Sequence, residues 1–287
     1  MSKLITIKSE ELTVEISTLG AELRRIYDTQ GTDFLWDGNP EFWTGRAPIL
    51  FPICGGLKNG KYSYGGKEYQ LTKHGFARRS EFETEAIDEN SAVFLLKSNA
   101  ETKASYPFDF EFRVSYELKG RSLSVKYSVT NPSDGEILFS FGSHEAYACP
   151  DGIENYVIEF EKEESLDSLC IVDNLLTGEA VPIMKNETTL PLDYKYFEID
   201  ALCFKDIKSR KVSLNHKLSD RKTVIEFDDF EYFLLWTKPQ AGYLCIELNA
   251  GIDDMVGSSY ELSKKAGIIR LNGKENFELN HVISFYS

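Results

Sequence analysis

Residues 122 to 130 alternate strictly, with Leu123, Val125, Tyr127 and Val129 set against Ser124, Lys126 and Ser128. A period of two sends successive side chains to opposite faces of an extended chain, so this segment reads as a strand with one face buried. The signature recurs. Leu12, Val14 and Ile16 alternate with Thr13, Glu15 and Ser17; Leu244, Ile246 and Leu248 oppose Tyr243, Cys245, Glu247 and Asn249; Phe277, Leu279, His281, Ile283 and Phe285 share a face. Further strands are expected at 21–27, 82–87, 92–98, 109–119, 137–141, 224–227 and 230–236, with a Gly-Gly hairpin over 61–69. No long stretch has helical spacing. Asn39-Pro40 reads as the cap and first residue of one helical turn, and 260–266 as one or two turns. Short strands broken by turn residues at roughly 8–12-residue spacing indicate an all-β fold, a large antiparallel β-sandwich of two sheets. One sheet face, partly wet, is expected to hold the site. No linker or repeat divides the chain, so 1–287 reads as a single domain.

Charge and cysteine usage narrow the function. The net charge is −14, with no basic stripe, which argues against nucleic acid and against an anionic membrane surface. Five cysteines, Cys54, Cys149, Cys170, Cys203 and Cys245, include no CxxC. They read as reduced, mostly buried thiols rather than a disulfide framework or zinc site. No signal sequence or 18-residue apolar run is visible, which points to the cytoplasm.

Several segments resist the strand pattern. Trp43 to Pro52 is too proline-rich for a central strand and reads as an ordered loop with one charge, Arg46. A second loop, Leu71 to Arg78, carries His74 and Arg78. Asn131 to Gly135 reads as a turn from which the strand beginning at Ile137 returns to pair with 122–130. The run Glu161-Lys162-Glu163-Glu164 reads as a solvated face or loop.

Proton-transfer groups are few. His144 follows Gly142 at the end of the Ile137–Phe141 strand, on the face of Ser140 and away from Phe139 and Phe141. It suits acid–base work, or simply a hydrogen bond at a strand end. Glu247 sits in an apolar strand, where a carboxylate must be paired or functional; Asp200 invites the same question. His281 reads as a core histidine, His216 as an exposed loop residue, and Asp253-Asp254 as a solvated turn. Trp43, Phe51, Phe76, Tyr147 and Trp236 can stack on a sugar or simply pack. No GxSxG, phosphate loop or GxGxxG is present, and no HxH or HExxH spacing suggests a metal.

The order His74-Gly75-Phe76-Ala77-Arg78, Gly142-Ser143-His144-Glu145-Ala146-Tyr147, Cys245-Ile246-Glu247 resembles the aldose 1-epimerases, the galactose mutarotase-like proteins. Trp43 to Pro52 (W-x-x-x-A-P-x-L-F-P) and Glu261 to Leu271 resemble the LacX-like subgroup. The resemblance implies a β-supersandwich that interconverts the anomers of a free aldose. Glu247 would be the base taking the C1 hydroxyl proton and His144 the acid protonating the ring oxygen, the two set across the ring. His74, Arg78, Asp200 and Arg46 would bind the sugar. No metal or organic cofactor is implied, the partner is a small sugar, and the protein would be a monomer or homodimer. The sequence departs from the family's G-x-H-P-x-F at Glu145 and Tyr147, from I-E-P-W at Leu248 and Asn249, and from a Gly-Arg pair at Gly56. The first four are read as an altered substrate rim; the last weighs against a hexose phosphate. Three other readings are a hexose-phosphate mutarotase, which Arg46 and Arg78 leave open, a non-catalytic sugar-binding or sensing sandwich, and a glycosidase using Glu247 and Asp200.

Overall fold

The computed structural model describes residues 2–287 and is a nearly all-β molecule. The Ser122–Thr130 strand lies inside a nine-stranded antiparallel sheet, between Glu111–Lys119 and Asn276–Tyr286. Beyond Glu111–Lys119 come Ser91–Lys97 and Glu83–Ile87. On the other side, Asn276–Tyr286 is followed by Lys222–Phe227, Lys211–His216, Tyr156–Val172 and Leu175–Pro191. A second sheet has four strands in the order Glu145–Ala148, Tyr243–Asn249, Tyr232–Trp236, Leu202–Lys205. Three N-terminal strands, Leu4–Lys8, Leu12–Ser17 and Leu23–Asp28, form a third small sheet.

Alternation explains the layers. Phe112, Val125, Tyr127, Ile225 and Ile283 point from the large sheet into one core, where Phe233, Leu244, Ile246 and Leu248 of the four-stranded sheet meet them. Phe233 contacts both Phe160 and Phe227 across the layers, with ring centroids 6.0 and 6.1 Å apart. Inward residues are consumed by this core. The opposite face of the four-stranded sheet therefore carries the remaining set: Cys203, Leu234, Tyr243, Cys245, Glu247 and Asn249.

Local expectations fail in four places. Asn39-Pro40 makes a turn, not a helix: the Asn39 carbonyl accepts from Phe42 and Trp43, and the segment stops there. The one α-helix among the described residues, Ala100–Ser105, was not expected. Asn99 and Thr102 close a reciprocal capping box around it, and one turn is too short to show a period. The Ile137–Phe139 strand does not return to 122–130. It pairs with Ile269–Leu271, because the buried Asn131 amide reaches the carbonyls of Gly135, Leu271 and Asn272 and steers the chain there. Finally, Glu161–Glu164 lies within a 17-residue strand of a long hairpin. Glu161, Lys162 and Glu163 are exposed, but Glu164 is buried and accepts from the Ser209 amide and hydroxyl.

The Gly-Gly hairpin forms as Lys61–Tyr64 and Lys67–Gln70, and 260–266 contains the short 3-10 turn Leu262–Lys264. All five cysteines are free thiols. Among the described residues, no helix is long and apolar enough to cross a membrane.

Candidate active site

Strand pairing alone builds the centre of the site. Glu145–Ala148 runs antiparallel to Tyr243–Asn249 with Glu145 opposite Ile246. Gly142 lies opposite Asn249, and the Ser143 amide donates to the Leu248 carbonyl at 3.0 Å. The register between these points sets His144 opposite Glu247, on one face and within reach. His144 Nε2 and Glu247 Oε1 are 3.1 Å apart, and both side chains are almost fully buried. Asn249, two residues on and on the same face, donates from Nδ2 to Glu247 Oε2 at 3.1 Å. Only glycine fits at 142, since a β-carbon there would collide with the Asn249 amide.

The pair faces a cavity of about 260 Å3. That is below the roughly 300–1,000 Å3 of pockets for drug-sized ligands and suits one sugar ring. Trp43 stacks on His144 at 5.0 Å, and Trp236 meets it edge-on at 5.8 Å. His74 stands edge-on to His144 at 5.9 Å. His74 Nδ1 accepts from the Gly55 amide at 3.2 Å, so the neutral ring carries its proton on Nε2 and is a donor there. Arg78, Asp200, Lys73 and Asp253 complete the polar lining, over Leu234, Ile171, Ala201 and Ile252.

Burial sets the protonation. It pushes the Glu247 carboxyl up to about 8 and the His144 imidazole down to about 3. Between those values the pair holds one transferable proton shared by Oε1 and Nε2, and the titration belongs to the pair. Burial also holds His74 well below its ordinary value. The Cys54 thiol lines the cavity, but burial drives its value far up, which makes it a poor nucleophile. Among the described residues, no three His, Cys, Asp or Glu side chains group as a metal site would require.

A model of the aldose 1-epimerases matches residues 3–275. The chain belongs to the aldose 1-epimerase family. The plasmid-encoded LacX protein of Lactococcus lactis subsp. lactis is 35% identical over 281 residues, which cover 93% of this chain and 94% of that protein. A galactose mutarotase related enzyme from Lactobacillus acidophilus superposes with a TM-score of 0.95 at 32% identity, over 99% of this chain and 98% of its own. A galactose mutarotase-like protein from Lactobacillus casei gives 0.94 at 27% identity, covering 99% and 100%. The all-β sandwich is thus the galactose mutarotase-like fold.

Within this family frame, His144, Glu247, His74, Arg78 and Asp200 converge on one cavity. Arg46 does not line it; its guanidinium donates to the Arg24 carbonyl instead. His144 and Glu247 stand side by side rather than across a ring. Of the candidate aromatics, Trp43 and Trp236 face the cavity, while Phe51, Phe76 and Tyr147 pack in the main core. His281 is a core histidine, as expected, 3.3 Å from Glu145. His216 is not a free loop residue: it ends a strand and sits 2.8 Å from Asp151.

The departures from the family pattern sort by strand parity. Glu145, Tyr147 and Leu248 are not at a substrate rim; they alternate away from the His144–Glu247 face and are buried in the core. Asn249 does line the cavity. Gly56 lies under the tip of the long hairpin, where a β-carbon would press on Asn174, so an arginine has no room there. Lys73 supplies a cation at this edge, its Nζ donating to Asn174 Oδ1 at 2.6 Å. Sequence reasoning missed Lys73 and misread Asp253 and Asp254, both of which are buried.

Proposed function

We propose that this protein is an aldose 1-epimerase that interconverts the α and β anomers of a free aldose such as galactose or glucose. The observation that carries the reading is the 3.1 Å contact between His144 Nε2 and Glu247 Oε1, facing a cavity of monosaccharide size. Mutarotation moves protons and breaks one C–O bond, so it needs an acid and a base but no nucleophile. The two oxygens involved are bonded to the same carbon. An acid and a base standing side by side fit them better than a pair on opposite edges.

The proton shared by the pair first passes from Glu247 Oε1 to His144 Nε2, and the carboxylate so formed takes the proton of the C1 hydroxyl as the bond from C1 to the ring oxygen breaks. His144 gives its Nε2 proton to the departing ring oxygen. The resulting arrangement, a neutral carboxyl beside a neutral imidazole, is the one that burial favours, and it accompanies the open-chain aldehyde. Rotation about C1–C2 and the reverse transfers close the other anomer. His74, Arg78 and Asp200 hold ring hydroxyls, and Trp43 and Trp236 offer apolar faces to the ring. Each proton-transfer group contributes roughly 10²–10⁴-fold.

Exchange NMR over a panel of aldoses, 6-phosphates included, tests the reading. Wild type should accelerate anomer exchange, and Glu247→Gln and His144→Asn should each lose at least about 100-fold. Uncatalysed rates across the panel at high protein concentration would reject the enzyme reading and favour a non-catalytic sugar-binding protein. Intact exchange in both variants would overturn the role assignment.

A further inference from the structure

We propose that Asp253 is a substrate-binding residue, accepting a hydrogen bond from an aldose hydroxyl at the end of the cavity away from Trp43 and Trp236. This rests on the epimerase reading of the cavity and adds to it a residue outside the acid–base machinery. A chain of contacts separates it from the tryptophans. The tryptophans pack on His144, His144 on His74, His74 bonds Gly55, and Gly55 packs directly against Asp253.

The carboxylate is locked in place. Its Oδ1 accepts from the Gly56 amide. Gly55, at φ +69, could not carry a β-carbon without striking Asp253. The following residue anchors the loop: Asp254 Oδ2 accepts from the Lys58 amide at 3.0 Å, and the buried Lys265 donates to the Ile252 carbonyl.

The other oxygen is unspent. Oδ2 has no hydrogen-bond partner among the described residues, although Asp253 is only 4% exposed and lines the cavity. A buried carboxylate normally has a cation or several donors. No salt bridge to Asp253 or Asp200 forms among the described residues, and Lys73 is tied to Asn174. Two carboxylates that form no salt bridge at one end of a cavity call for a ligand rich in neutral donors, and vicinal hydroxyls are that ligand.

Asp253→Asn is the informative variant, because Asn can keep the Oδ1 acceptor for Gly56 while replacing the free oxygen with a donor. Affinity by calorimetry and mutarotation kinetics are measured with galactose, glucose and their monodeoxy derivatives. The variant should raise Kd and KM about 10–100-fold, with kcat within a few-fold and Tm unchanged. For one deoxy sugar, which lacks the hydroxyl concerned, the substitution should cost almost nothing. Unchanged affinity, or an equal loss on every deoxy sugar, overturns the proposal. So does a wild type for which no single deoxy position weakens binding tenfold, whatever the variant does. A wild type that binds sugars in an Asp253-dependent way but does not exchange anomers sinks the enzyme reading and leaves Asp253 in its role. One that neither binds nor turns over any sugar sinks both.

Discussion

Replacing Glu247 by Gln should abolish activity and stabilise the fold, and the stabilisation should depend on pH in a defined way. Burial holds the Glu247 carboxyl at about 8, against an ordinary value of 4.5. The folded state therefore favours the protonated form. Below about pH 4.5 the carboxyl is protonated folded or unfolded, and it imposes no penalty. As pH rises from 4.5 to 8 the unfolded chain ionises and the native chain does not, so native stability falls. Above about 8 the penalty is complete and constant. Each tenfold step in proton affinity is worth about 1.4 kcal/mol. The difference is then about 3 kcal/mol at pH 7 and about 5 kcal/mol above pH 8.

Gln is isosteric and uncharged, and it keeps partners on both sides. Its amide nitrogen can donate to His144 Nε2, and its oxygen can accept from Asn249 Nδ2, as Glu247 does now. Urea unfolding of both proteins at several pH values between 4 and 8.5 measures the difference directly. Thermal unfolding should give a Tm rise of roughly 5 °C for the variant near pH 7. The gap should open steadily with pH and close to a constant offset near pH 4. A gap that stays the same from pH 5 to 8 would refute the argument, because it would mean that the carboxyl titrates alike in the native and unfolded chains.

The same pair predicts a pH–rate profile. It loses its only proton above about pH 8, so kcat/KM, corrected for spontaneous mutarotation, should fall on the alkaline side with a midpoint near 8; the acid limb should lie near 3. A separate prediction concerns Glu145 and His281, which sit 3.3 Å apart in the core behind the site. Glu145→Ala should destabilise by about 1–3 kcal/mol in urea unfolding, since it leaves the buried His281 without its neighbour, while the folded fraction keeps a kcat within a few-fold of wild type.

Much of the fold was legible because the chain's strands carry a clean period of two. The Ser122–Thr130 strand and the Leu12–Ser17 strand coincide with their patterns. What the period does not encode is partnership. His144 and Glu247 were each visible, but their adjacency depends on a register between strands about a hundred residues apart. The partner of Ile137–Phe139 was misjudged for the same reason, with the buried amide of Asn131 deciding it. Tyr156–Val172 and Leu175–Pro191 escape a strand reading because their hairpin is solvated over much of its length. Asp253 was misread because a loop has no period at all; its burial comes from Gly55, a residue two hundred positions away. Glu145 is the instructive failure. With His144 on the face of Ser140, parity already puts Glu145 with Phe139 and Phe141, on the core side, so the signal was present.

That parity also says where substrate choice resides. The proposed acid, the proposed base and the donor to that base are set by two paired strands, His144 immediately before one and Glu247 and Asn249 in the other. Their geometry is fixed by backbone pairing, so changes at Glu145, Tyr147 or Leu248 alter the core without moving a group into the cavity. The ends of the cavity are built differently. Lys73, His74 and Arg78 come from one loop, Asp200 from a segment leading into a strand, and Asp253 from a turn braced by Gly55 and Gly56. Loops tolerate substitution far better than paired strands do. Differences in sugar preference between this protein and its relatives should therefore trace to these loops. The residues that break the family motif on the strands should instead show their effects in stability.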